Sequence, residues 1–190
     1  MQRKIILASG SPRRKELLTL TGLAFDIRTS NYEEELDKDL PPAELVQYLA
    51  QKKAEDVARH FDDAIVIGSD TMCEFAGEML GKPHTKERAY EMLQMLSGVQ
   101  HSVFTGYTLL DTKNDEIITR AIETKVTFHK LSDAEISTYV KTGESLDKAG
   151  AYGIQGKAAL YVKEIEGDYL NIVGLPISAL WRDLQKIMKQ

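Results

Sequence analysis

The chain has 190 residues, 43% hydrophobic and 28% charged, which suits one globular domain, two lobes allowed, with a core that needs no disulfide or structural metal. A formal charge of −5 and a single cysteine, Cys73, exclude an internal disulfide and argue against a generic nucleic-acid binder. No apolar run approaches the roughly 18 residues of a membrane span and the apolar start is too short for a signal peptide, so a cytoplasmic protein with no membrane or nucleic-acid partner is expected.

In chain order, Lys4–Ala8 is a short apolar run that reads as a strand, and Ser9-Gly10-Ser11 reads as a turn. Ser11 and Pro12 then cap and open a helix with Leu17, Leu18 and Leu20 on its apolar face, ended by Gly22. Ala24–Ser30 reads as a second strand, followed by an acidic loop over Asn31–Asp37. Pro41-Pro42 starts a helix with Leu45, Val46, Leu49, Ala50, Ala54, Val57 and Ala58 at helical spacing. Ala64–Gly68 is a wholly apolar strand that runs into Ser69-Asp70-Thr71. A hairpin turns near Ala76-Gly77, and Thr85 caps a helix with Ala89, Met92, Leu93 and Leu96 inward. Ser102–Asp111 and Ile117–Leu131 alternate as strands around Lys113-Asn114-Asp115. Ser132–Glu135 is a capping box whose helix ends at Gly143. Ala158–Ile165 and Tyr169–Val173 read as a hairpin turning at Gly167, and Pro176 opens the last helix. The sum is an α/β fold with a mixed, twisted sheet and flanking helices.

Four places break the pattern of their own element. The first is Ser9-Gly10-Ser11-Pro12-Arg13-Arg14-Lys15, which puts three cations in a first helical turn that favours anions. A phosphate bound by backbone N–H groups, Ser9, Ser11 and the arginines would reconcile that conflict. The second is Lys53, on the apolar stripe of its helix, which either snorkels to water or points into a cleft toward phosphate or carboxylate. The third is Asp70, at the carboxyl end of the most apolar strand, where α/β sheets place their ligands. The fourth is the loop from Ser145 to Lys157, whose glycines permit close backbone approach to a ligand. Together they supply cations for phosphates (Arg13, Arg14, Lys53, Lys82, Lys148, Lys157) and carboxylates for a hard divalent cation (Glu34, Asp70, Asp147). Cys73 reads as a buried structural thiol, and the four histidines lack zinc spacing. These residues point to phosphate-ester chemistry on a small nucleotide without naming the bond.

At the same residues the sequence resembles the Maf family of nucleoside triphosphate pyrophosphatases. The matching stretches are Leu7–Arg14, Lys53-Ala54, Gly68-Ser69-Asp70-Thr71, Gly81-Lys82-Pro83, Asp147–Gly156 and Val173–Pro176. The resemblance implies an elongated, two-lobed single domain over residues 1–190 with a central cleft, like that of the inosine triphosphate pyrophosphatases, often as a homodimer. It implies hydrolysis of a nucleoside triphosphate between the α and β phosphates with a divalent cation, magnesium or manganese. Asp70 matches the proton acceptor, and Glu34, Lys53 and Lys82 match the catalytic cleft, with Glu33 the neighbouring register for Glu34. Asp70 and Glu34 would hold the metal. Arg13, Thr71 and Gln155 match the positions of the subgroup acting on dTTP and UTP; a Gln amide offers a pyrimidine edge both donor and acceptor. Ser9, Ser11, Arg14, Asp147 and Lys148 complete the substrate-binding set. A different class of function, a nucleotide-binding regulator of cell division or septum formation with little turnover, is the competing expectation.

Overall fold

The computed structural model describes residues 3–33 and 39–189. Strand β1 (Lys4–Leu7) pairs in parallel with β2 (Asp26–Ile27) and with β3 (Ala64–Phe75). Helix α1 (Pro12–Thr19) follows β1; the Ser11 hydroxyl accepts from the Arg14 N–H and Pro12 fills the first turn. Helix α2 (Pro42–Ala58) leads into β3, giving the long crossover that parallel strands require. Strand β4 (Glu78–Leu80) turns back on β3 at Cys73–Phe75 through Ala76 and Gly77, both at positive φ. Helix α3 (Lys86–Leu96), strands β5 (Gln100–Asp111) and β6 (Glu116–Phe128) and helix α4 (Asp133–Lys141) follow. Strand β7 (Val162–Glu166) pairs antiparallel with β6, and helices α5 (Tyr169–Val173) and α6 (Ile177–Ile187) close the chain. The sheet order is β2-β1-β3-β5-β6-β7, with β4 on β3, so the α/β fold with a mixed sheet stands as expected.

The residues pack into two compact units. The first takes in Met1–Asp70, Thr105–Ile122 and Gly174–Gln190; the second Thr71–Phe104 and Glu123–Val173. In the first, Ile6, Ala8, Ala64 and Val66 share one sheet face and pack against Ala54, Val57 and Ala58 of α2. Gly68 continues that face, and a Cβ there would lie 2.1 Å from the Ala50 carbonyl oxygen and 2.9 Å from the Ala54 Cβ. The missing side chain therefore lets α2 lie directly on β3. The same two-residue period brings Asp70 onto the face of α2.

Several sequence expectations change. β3 runs on to Phe75, so Asp70 lies within a strand of 12 residues and not at its carboxyl end. The partner strand is the one that stops: β1 ends at Leu7, opposite Ile67, and Asp70 lies three residues past that point. The second strand shrinks from Ala24–Ser30 to Asp26–Ile27. Leu20 is 68% exposed, because α1 has already ended. The hairpin expected over Ala158–Val173 is instead a 3₁₀ turn (Lys157–Tyr161), β7 and α5. Polar side chains decide it. The Asp168 carboxylate accepts from the Leu170 N–H at 2.8 Å, and the buried Asn171 amide donates to the Val103 carbonyl and to Thr124 Oγ1. β7 then finds its partner in β6.

Candidate active site

In the first unit the turn after β1 is held by side chains that the sequence singled out. Ser9 is buried, and its hydroxyl accepts from the Ser11 N–H at 3.3 Å and from Arg14 Nη1 at 3.2 Å. Arg14 also donates from Nη1 to the Ser69 carbonyl at 2.9 Å and from Nε to the Gly174 carbonyl at 2.9 Å. Ser69 Oγ donates to the same Gly174 carbonyl at 3.2 Å. Arg14 thus ties the Ser9–Ser11 turn to the residue preceding Asp70. Its planar fork suits several acceptors at fixed angles, which a lysine would not supply. Arg13, beside it in the first turn of α1, is half-buried.

Asp70 is 6% exposed. Its Oδ1 accepts from Lys53 Nζ at 2.5 Å, with the two side chains only 8% and 13% exposed. Lys53 leaves the apolar stripe of α2 on the face that touches Gly68, which explains a lysine there: its ammonium reaches along β3 to the carboxylate two residues on. Burying either charge without its counterion would cost several kcal/mol. The choice that the sequence left open, between snorkelling to water and pointing at a carboxylate, is decided for the carboxylate.

The other predicted residues belong to the second unit. Thr71 follows Asp70 on β3 and is half-buried, and Lys82 is exposed just after β4. The loop after α4 carries the remainder. Asp147 is exposed, and Lys148, only 15% exposed, donates to Asp147 Oδ1 and to the Glu144 carbonyl, both at 2.7 Å. Gln155 is exposed. Around the loop's root, His101, Phe128 and Tyr152 stack edge-on, with ring centroids 4.8 to 5.4 Å apart. Tyr152 Oη lies 2.9 Å from His101 Nε2, and a Cβ on Gly150 would touch the Cys73 sulfur at 2.8 Å. Cys73 is buried, as expected, and desolvation pushes its thiol well above the ordinary range. Glu34 lies outside the described residues. Among the described residues no three His, Cys, Asp or Glu side chains cluster as a metal cage, and no helix is long and apolar enough to cross a membrane.

A family model described as Maf-like protein matches residues 4–187. The chain belongs to the Maf family. This Maf chain is 50% identical over 182 residues to a protein named dTTP/UTP pyrophosphatase from Bacillus pumilus (strain SAFR-032), covering 96% of this chain and 95% of the other. A protein of the same name from Geobacillus sp. (strain WCH70) is 48% identical over 185 residues, covering 97% and 98%. One from Bacillus anthracis is 50% identical over 184 residues, covering 97% and 95%. Among solved structures, that of the Staphylococcus aureus Ham1 protein superposes with a TM-score of 0.56 at 12% identity, covering 97% of this Maf chain and 99% of that one. That likeness is one of fold.

The roles of four residues of the site region escape a reading of the sequence. Ser69 and Gly174 anchor Arg14 through main-chain carbonyls, and a carbonyl has no sequence signature. Glu144 and Tyr139 hold the loop around Gln155; nothing in the local pattern sets this glutamate apart from a solvated one.

Proposed function

We propose that this protein hydrolyses nucleoside triphosphates, dTTP and UTP, between the α and β phosphates to nucleoside monophosphate and pyrophosphate. The observation that carries the reading is the buried Lys53–Asp70 pair, joined through Ser69 and Arg14 to the Ser9–Ser11 turn. Near-full-length identity of about half to proteins named dTTP/UTP pyrophosphatase supports the substrate.

In this reading the triphosphate lies over the Ser9–Arg14 turn, whose N–H groups and Arg13 meet its phosphates. Asp70 takes a proton from the water that attacks the α-phosphorus. The bond to the bridging oxygen breaks, and pyrophosphate leaves. Lys53 and Lys82 offset the charge that grows on the leaving group. Arg14 serves this arrangement by fixing the turn and the Ser69–Asp70 peptide. Recognition of the nucleoside falls to Thr71, Gln155 and Asp147, and Lys148 supports it by holding Asp147.

Asp70 offers a hard oxygen donor, which fits magnesium or manganese held by one or two carboxylates and completed by substrate oxygens. We assign that role to Asp70 and Glu34. When bound, such a cation withdraws charge from the phosphates. The competing reading, a nucleotide-binding regulator with little turnover, has less support, since the relatives bear an enzyme's name. A cytoplasmic homodimer acting on free nucleotides, with no nucleic-acid partner, is the setting this reading implies.

Product analysis with purified protein, magnesium and dTTP, UTP, CTP, GTP or ATP tests it. Pyrophosphate and monophosphate from dTTP and UTP are expected. Orthophosphate and diphosphate would move the cleaved bond, and binding without turnover would favour the regulator.

A further inference from the structure

We propose that Glu144 is a positioning residue that braces the loop presenting Gln155, and so sharpens the choice of pyrimidine over purine nucleotides. This rests on the reading above, in which Gln155 meets the base.

The chain leaves α4 through Gly143, at φ +77, and the Glu144 N–H donates to Thr142 Oγ1 at 3.2 Å. The main chain of Glu144 is thereby fixed to the helix end. From this point Glu144 holds both ends of the loop. Its carbonyl accepts from Lys148 Nζ at 2.7 Å. Its carboxylate reaches over the loop to the Lys157 N–H, 3.4 Å from Oε2. Tyr139, fully buried in α4, completes the clasp: its hydroxyl donates to Glu144 Oε1 at 3.5 Å and accepts from the Gly153 N–H at 3.1 Å.

Two glycines make room for it. A Cβ on Gly156 would stand 1.6 Å from Glu144 Oε1, so the carboxylate occupies the space where any other residue would carry its side chain. A Cβ on Gly153 would stand 2.7 Å from Lys148 Cε. Gln155, exposed, sits between these pinned glycines. A loop whose ends and middle are fixed loses its conformational freedom on folding and not on binding, so its presented side chain is preorganised. Lys148, turned inward, acts as part of this brace.

The test uses the full-length enzyme with magnesium and measures kcat and KM for dTTP, UTP and ATP. In Glu144→Ala the KM for dTTP and UTP should rise about 10-fold with kcat within about 3-fold, the mark of lost ground-state positioning. The dTTP-to-ATP ratio of kcat/KM should fall by a similar factor. Glu144→Gln, which keeps the shape and an acceptor for the Lys157 N–H, should restore most of it. Tyr139→Phe is the second variant, since it keeps the buried ring and removes only the hydroxyl that joins Glu144 to the Gly153 N–H. Amide exchange at Gly153 should quicken in it and in Glu144→Ala. Gln155→Ala separates base reading by Gln155 from bracing by Glu144. If it leaves the dTTP-to-ATP ratio unchanged, the base-reading role of Gln155 fails and the inference falls with it. If it lowers the ratio while Glu144→Ala and Tyr139→Phe do not, the reading survives and the brace is overturned. An equal loss of kcat/KM on all three nucleotides would mark Glu144 as merely structural and overturn it as well.

Discussion

Lys53 and Asp70 are each half of a pair that makes little sense alone. A lysine on an apolar helix stripe and an aspartate in a buried strand both violate burial rules, and each violation is relieved by the other at 2.5 Å. This gives two predictions that separate chemistry from stability. Asp70→Asn keeps the side-chain shape and still accepts from Lys53, but an amide cannot take the proton of the attacking water. Activity on dTTP should fall about 10²- to 10⁴-fold in a protein that still folds but melts earlier, because the Lys53 ammonium loses its counterion, read from steady-state kinetics beside a circular dichroism melt; full activity would remove Asp70 from its assigned role. Lys53→Met leaves a buried carboxylate without this counterion, and urea denaturation should show about 3–5 kcal/mol of lost stability. Adding Asp70→Asn to Lys53→Met should recover part of that loss, because the stranded charge is then gone. A double variant less stable than Lys53→Met would show that the pair is not what holds these two groups in the core.

Helix α2 and strand β3 position that pair, and the glycine between them sets the distance. In Gly68→Ala the new methyl, which has no rotamer to escape by, would meet the Ala50 backbone carbonyl at 2.1 Å, so α2 must lift from the sheet and draw Lys53 from Asp70. The expected cost is about 1–3 kcal/mol or more by denaturant melt, with a loss of activity greater than the stability change alone would produce. Wild-type stability in this variant would show that the close approach is not required. Much of this arrangement was legible in the sequence because local chemistry and tertiary packing agree there. Ser11-Pro12, Thr85 and the Ser132–Glu135 box each cap the helix expected of them, and the spacing from Leu45 to Ala58 matches the buried face of α2. The sequence points to Asp70 as the end of β3, whereas it is β1 that ends beside it. The segment from Ala158 to Val173 reads as a hairpin because its apolar residues alternate like strands, while Asp168 and Asn171 commit its end to a helical turn through bonds to residues about 45 to 70 positions away. Arg14 reads as a phosphate ligand from its place in a helix start; its carbonyl partners Ser69 and Gly174 are distant in the chain, and no pattern in the sequence marks them as its acceptors.

The buried titratable groups set how the whole molecule responds to acid, and they act in separate pH windows. In the first unit, burial pushes Asp183 up, but hydrogen bonds from Arg120, Lys186 and Tyr107 outweigh it and hold its carboxyl down at about 2. Asp111 is held below the usual carboxylate range chiefly by hydrogen bonds from Arg3. Both groups stabilise the fold fully above the ordinary carboxylate range and lose that contribution as pH falls from that range to their lowered values. His101 in the second unit differs in sign and window. It is 3% exposed, and desolvation lowers it from the ordinary 6.5 to about 4. The unfolded chain therefore binds a proton at this position from about pH 6.5 downward while the native protein does not. Stability is complete above pH 6.5 and declines between 6.5 and 4, by about 3 kcal/mol over the whole interval. The ring is locked edge-on between Phe128 and Tyr152, with Nε2 engaged by the Tyr152 hydroxyl, so a charged imidazolium would have to be accommodated beneath the loop that carries Gln155. His101→Gln keeps a hydrogen-bonding group for Tyr152 and cannot titrate. Thermal midpoints of wild type and variant should run parallel above pH 6.5, then converge as the pH approaches 4, because only the wild type is losing stability to this proton. Curves that keep a constant separation down to pH 4 would mean that His101 takes up its proton in the native fold without penalty, and would place the origin of any acid sensitivity in the carboxylates of the first unit.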